Sequence, residues 1–190
     1  LGYRVYESEG LLAEVANLVE YPFPIVGRFD EGYLELPAEV LSTVMIHHQR
    51  FFPLLDGDGG LSNAFVAVSN NRVPDESVVR SGYEKVLAGR LYDASFFWRS
   101  DRNKSLSQHA WALSGIQFHK ELGTMADKVA RVDGIARELA QLAGAGKDDL
   151  EVLERALPVF RADLGTEMVF EFPELEGVMA RAYAIKEGFP

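Results

Sequence analysis

Near Pro74 the apolar pattern of this chain changes period, and that change limits it to a fold mixing strands and helices. Before Pro74, short alternating and β-branched runs are separated by turn residues, as in antiparallel strands. Ile25-Val26-Gly27-Arg28-Phe29 and Tyr33-Leu34-Glu35-Leu36 flank Asp30-Glu31-Gly32 and predict a first hairpin. Residues 50–55 and 64–68 predict a second, joined across Asp56-Gly57-Asp58-Gly59-Gly60 and ended by Asn70-Asn71. Two helices are predicted among them. Leu11, Leu12, Val15, Leu18 and Val19 recur at helical spacing until Tyr21-Pro22-Phe23-Pro24, and Pro37 opens a segment over 38–48 with Val40 and Val44 on one face. Beyond Pro74 the spacing predicts helices over 76–98, 106–122, 125–142, 148–160 and 162–184. The expected class is α+β. A small mixed module with antiparallel hairpins covers 1–104, and an all-helical module covers 105–190, with the boundary between Asp101 and Ser105.

A hydrophobic content of 47% supplies material for a core of this kind. With no cysteine, disulfide frameworks and thiolate metal sites are excluded, and a reducing cytoplasm is the expected location. No apolar run approaches the ~20 residues that cross a bilayer, so no membrane partner is expected. The formal net charge of −10 argues against a free-standing nucleic-acid binder, and DNA is not an expected partner. A local basic patch remains compatible with it. Leu1-Gly2-Tyr3-Arg4 carries neither an initiator Met nor a signal-peptide pattern, and both ends read as cut from a longer chain.

Motifs for self-contained catalysis are missing. There is no HExxH, P-loop, GxGxxG or GxSxG, and no catalytic residue is assigned. His47 and His48 are adjacent and diverge on a helix, so they cannot chelate one ion. Asp56-x-Asp58-x-Gly60 begins like a calcium loop, but the later acidic ligands are absent and a hairpin turn is expected. The segment 72–104 interleaves Arg72, Arg80, Lys85, Arg90, Arg99, Arg102 and Lys104 with Tyr83, Tyr92, Phe96, Phe97 and Trp98. Basic residues hold phosphates and exposed rings stack on unpaired bases. Against this, at least one of Phe96 and Phe97 belongs in a core, and neighbouring acids dilute the charge. Arg80, Lys85, Arg90 and Arg99 are the candidate RNA contacts.

The helical half contains Asp127-Lys128-Val129-Ala130-Arg131-Val132 and Phe160-Arg161-Ala162-Asp163-Leu164-Gly165-Thr166. These resemble the ligand helix and the His-Asp signature of HD phosphohydrolases, which hold a water-activating metal. Here Ala162 stands at the His position and Thr166 at the Lys position, so no metal site is expected and the module reads as a degenerate HD-like one.

Longer strings identify a closer resemblance. His48-Gln49-Arg50-Phe51-Phe52 and Phe65-Val66-Ala67-Val68-Ser69-Asn70 come first, then Gly82-x-Glu84-Lys85-Val86-Leu87 followed by Arg90-Leu91-x-Asp93-Ala94-x-Phe96-Phe97. Further on stand Leu122-Gly123-Thr124-Met125-x-Asp127-Lys128, and Thr166-Glu167-Met168-Val169-x-Glu171-Phe172-Pro173-Glu174-Leu175-x-Gly177-x-Met179. In this order, over most of 11–184, they resemble the β subunit of bacterial glycyl-tRNA synthetase. Tyr83 departs from the family's usual Asn, His119 from Gln and Ala180 from Gly. The resemblance implies a non-catalytic, tRNA-binding and scaffolding part of a cytoplasmic heterotetrameric glycine–tRNA ligase, with the α subunit and tRNA(Gly) as partners. It also implies no cofactor in this portion, since ATP and Mg belong to the α subunit. Alternatives are a module that docks the α subunit without touching RNA, and a metal-dependent HD phosphohydrolase.

Overall fold

The computed structural model describes residues 2–189. Its backbone contacts divide the chain into two compact units, Leu1–Phe96 and Phe97–Pro190.

In the first unit, β1 (Arg4–Val5), β2 (Phe23–Arg28), β3 (Phe52–Leu55) and β4 (Leu61–Ser69) form an antiparallel sheet in the order β1-β3-β4-β2. The predicted 50–68 hairpin is present: Asp56 closes its turn by accepting the backbone N–H groups of Asp58 and Gly60, each at 3.0 Å. The hairpin predicted across Asp30-Glu31-Gly32 is not. Residues Glu31–Glu35 form a 3₁₀ turn, because the Asp30 carboxylate accepts the Gly32 N–H at 2.7 Å and starts a helical turn there. β2 pairs instead with β4 over six residues, from Phe23↔Ser69 to Arg28↔Ala64. The pairing is extended where the Asn63 amide reaches the Phe29 carbonyl at 3.0 Å.

Helix α1 (Glu9–Leu18) is capped by Ser8 and buries Leu11 and Val15 against Phe52. Helix α2 (Ala38–Thr43) continues into a π turn over Val44–His48 and buries Val40, Leu41, Val44 and Met45. The other face of the sheet buries Ile25, Phe65 and Ala67, with Phe51 stacked on Phe65 at 4.7 Å. A side chain at Gly27 would strike the Phe65 ring, so this strand position requires glycine. Helix α3 (Glu76–Asp101) begins in this unit and buries Leu87, Leu91 and Ala94. Its Glu84 accepts the Arg28 N–H at 2.9 Å, which satisfies a donor on the edge strand β2.

The second unit holds the end of α3, then α4 (Leu106–Ala110), α5 (Met125–Leu142), α6 (Lys147–Ala156), α7 (Glu167–Glu171) and α8 (Val178–Lys186). The continuous helix predicted over 106–122 is replaced by α4, a 3₁₀ turn at Trp111–Gly115 and a two-stranded ribbon of β5 (Gln117–His119) and β6 (Gly123–Thr124). Ser105 and Gln108 form a capping box that begins α4. Gly123, at φ +85°, turns the chain before Thr124 and Asp127 box the start of α5. The unit is therefore not all helical. The stretch predicted as one helix over 162–184 is likewise broken into 3₁₀ turns, α7 and α8 by Gly165, Pro173 and Gly177.

Candidate functional site

Short helices gain little from their own hydrogen bonds and leave four N–H groups unsatisfied at each start. In the second unit, carboxylates distant in sequence supply the missing acceptors. Asp101, the last residue of α3 and 3% exposed, accepts the N–H groups of Glu167 at 2.9 Å and Met168 at 3.0 Å. Thr166 accepts that of Val169 at 3.2 Å, so the first three donors of α7 are all satisfied. Asp163, fully buried, accepts the N–H groups of Gly177 at 2.6 Å and Ala180 at 3.2 Å and caps α8. Glu187 accepts the N–H of Leu106 at 2.7 Å and serves α4 in the same way.

A buried tyrosine and histidine complete this network. The Tyr183 hydroxyl donates to Asp101 at 2.8 Å while its ring stacks on Trp98 at 5.0 Å. Burial and the neighbouring Asp101 carboxylate push the Tyr183 phenol far up, so it is held as a donor. Both ring nitrogens of His109 face backbone carbonyls, Nε2 that of Asp101 at 2.9 Å and Nδ1 that of Gly165 at 3.2 Å. A side chain at Gly165 would run into the His109 carbonyl. Burial pushes the Asp163 carboxyl above its ordinary value, against the pull of the Gly177 and Ala180 hydrogen bonds. Its Oδ1 is buried without a hydrogen-bond partner among the described residues.

The donors at Asp163 do not suit a divalent metal. Oδ2 is engaged by two N–H groups, and Ala162 and Thr166 flank it where an HD site needs His and Lys. Among the described residues no three His, Asp or Glu side chains come together as a metal set. The chemistry available here is the fixing of helix ends. Asp101 and Tyr183 escaped sequence reading, because nothing local to either marks a partner more than 60 residues away.

The candidate RNA contacts lie on α3 and do not converge. Arg80 is half-buried and paired with Glu76 one turn earlier. Lys85 and Arg90 are both exposed but about 140° apart around the helix. Arg99 is exposed in the last turn. Lys85 has exposed apolar company on the outer side of α3, where Val78 and Tyr92 are each 66% exposed and Val86 and Phe96 are also open. Phe97 is half-buried and meets Phe172 edge-on at 6.4 Å. Among the described residues, no helix is long and apolar enough to cross a membrane.

A family model described as glycyl-tRNA synthetase beta subunit matches residues 1–190. The glycine–tRNA ligase beta subunit of Syntrophomonas wolfei is 46% identical over 183 residues, covering 96% of this chain and 26% of the relative. That of Aquifex aeolicus is 47% identical over 189 residues, covering 100% of this chain and 28% of the relative. The Janthinobacterium protein is 45% identical over 184 residues. The chain spans about a quarter of the length of the curated relatives it matches.

Proposed function

This chain belongs to the glycyl-tRNA synthetase beta-subunit family, and on that premise we propose that it is a non-catalytic, tRNA-positioning portion of a glycine–tRNA ligase. In that role it supports the charging of tRNA(Gly) while glycine and ATP with Mg are handled by the α subunit. The observation that supports this most is how the buried polar groups are used. Asp101, Asp163 and His109 hold helix ends and backbone carbonyls, whereas Lys85 and Tyr92 face outward on α3. We assign the helical portion to a degenerate HD-like module in which the signature aspartate, Asp163, survives as the cap of α8.

Charge reversal at Lys85 and Arg90 in the full β subunit, assembled with α, tests the tRNA role. The KM for tRNA rises while glycine-dependent ATP–pyrophosphate exchange is unchanged; an unaltered KM refutes the assignment. The apolar stretch of Val78, Val86, Tyr92 and Phe96 favours a second reading, in which this face of α3 docks the α subunit. On that reading Val86→Asp weakens capture of α and leaves the affinity of β alone for tRNA intact.

A further inference from the structure

The β5–β6 ribbon and the turn before it carry exposed rings that the core does not use. Trp111 is 75% exposed and Phe118 38%, although tryptophan and phenylalanine are the side chains that gain most from burial. Gln117, Phe118 and His119 are all exposed, so neither face of β5 is covered, whereas a sheet strand ordinarily packs one face on a core. Packing therefore does not dictate these residues.

The ribbon is nonetheless rigidly placed. Thr124 donates to Asp127 through its backbone N–H at 2.7 Å and its hydroxyl at 2.8 Å. Met125 donates to the Ile116 carbonyl at 2.8 Å, and a side chain at Gly123 would strike the Asp127 carboxylate. The Lys128 ammonium sits 4.3 Å from the centre of the Phe118 ring. Lys120 extends from the same ribbon and Arg131 from the next turn of α5. Of the two acids nearby, Asp127 is held below the usual carboxylate range by its Thr124 hydrogen bonds, with help from Arg131. Asp127 therefore stays charged, and with Glu121 it offsets two of the three cations Lys120, Lys128 and Arg131, which leaves this surface one positive charge in excess on a chain of net charge −10.

We propose that Trp111 and the β5–β6 ribbon form a stacking platform for unpaired RNA nucleotides, with Phe118 as a second ring and Lys120 and Lys128 holding phosphates. Exposed rings, one of them with an ammonium fixed over it, together with an excess of cations match the stacking and phosphate contacts of single-stranded RNA. The platform is separate from α3 and shares with the proposed function only the class of ligand.

Fluorescence reads the site directly, because the chain has two tryptophans and the other, Trp98, is 4% exposed. Single-stranded oligoadenylate added at low salt quenches the solvent-exposed emission of Trp111 and leaves that of Trp98 in place. Phe118→Ala raises the half-saturating RNA concentration about tenfold, and Lys128→Ala lowers the salt slope by about one. Absence of quenching at low salt, while acrylamide still reaches Trp111, overturns the proposal. So does a Trp111→Ala β subunit that loses capture of α but binds RNA normally, since the surface is then a protein interface. Lys85→Glu in the same titration separates the two sites. RNA binding that depends on Lys85 without Trp111 quenching sinks this platform alone, whereas Trp111 quenching that persists in Lys85→Glu upholds the platform, and an unaltered KM for tRNA in the Lys85→Glu enzyme sinks the α3 assignment alone.

Discussion

Replacing Asp101 by Ala should unfold the second unit far more readily than any change on its surface. The carboxylate is buried and accepts three hydrogen bonds, from the N–H groups of Glu167 and Met168 and from the Tyr183 hydroxyl. Removing it strands three buried or partly buried donors, each costing about 1–3 kcal/mol when left unsatisfied. Water entering the gap recovers part of this, so the expected loss is about 3–5 kcal/mol. That is a large fraction of the ~5–15 kcal/mol stability of a typical domain. Asp101→Asn keeps one acceptor oxygen but turns an amide N–H₂ toward a donor, and about 1–3 kcal/mol is expected. Tyr183→Phe keeps the stack on Trp98 and loses one hydrogen bond. Urea unfolding followed by far-UV circular dichroism measures all three, and the double variant measures the coupling between Asp101 and Tyr183, expected at about 1–2 kcal/mol. An Asp101→Ala chain within about 0.5 kcal/mol of the parent, or a coupling of zero, would show that the caps do not organise this unit.

Three further outcomes follow from the same geometry. Asp163 has a raised carboxyl, so between the ordinary value of 3.8 and its folded value the native state binds more protons than the unfolded chain. Its contribution to stability falls as pH rises through that window, and Asp163→Asn, which cannot ionise, should gain on the parent as pH rises above the ordinary carboxyl value; parallel pH–stability curves would refute this. Gly165→Ala drives a methyl into the His109 carbonyl and should cost about 1–3 kcal/mol, read as a lower urea midpoint, whereas Gly89→Ala on α3, with open space around it, should not destabilise. Lys85→Glu in the assembled enzyme should raise the KM for tRNA with glycine activation unchanged, and equal effects on both would point to a folding defect.

What could be read from the sequence was local. Helix α5 was legible from end to end because its apolar period is regular, and its start, over Thr124 to Asp127, carries a capping box within four residues. The β3–β4 hairpin was legible because Asp56 and its glycines make the turn by themselves. The Asp30-Glu31-Gly32 turn misled because the partner that wins β2 is β4, which no window around Asp30 contains. Residues 106–122 misled for a related reason. Their apolar spacing is helical, but Gly123, at φ +85°, permits a ribbon that fixes the start of α5 through the Met125–Ile116 hydrogen bond. On α3 the basic residues were visible but their directions were not. Arg80 pairs with Glu76 one turn earlier, and Lys85 and Arg90 diverge.

Asp163 shows why a lone signature residue is poor evidence for chemistry. Its place in an HD-like string invites a metal, but a metal ligand needs partners, and its neighbours Ala162 and Thr166 supply none. The structure gives the carboxylate another reason to be there. Gly177, at φ +80°, starts α8 with no side chain of its own, so the helix needs an acceptor from elsewhere. Asp163 Oδ2 provides it, 14 residues back, to Gly177 and Ala180. Asp101 does the same for α7 across 66 residues. In a fold of short helices held in this way, buried acids are explained as caps without any metal. Acidic composition here therefore reports in part on internal helix caps.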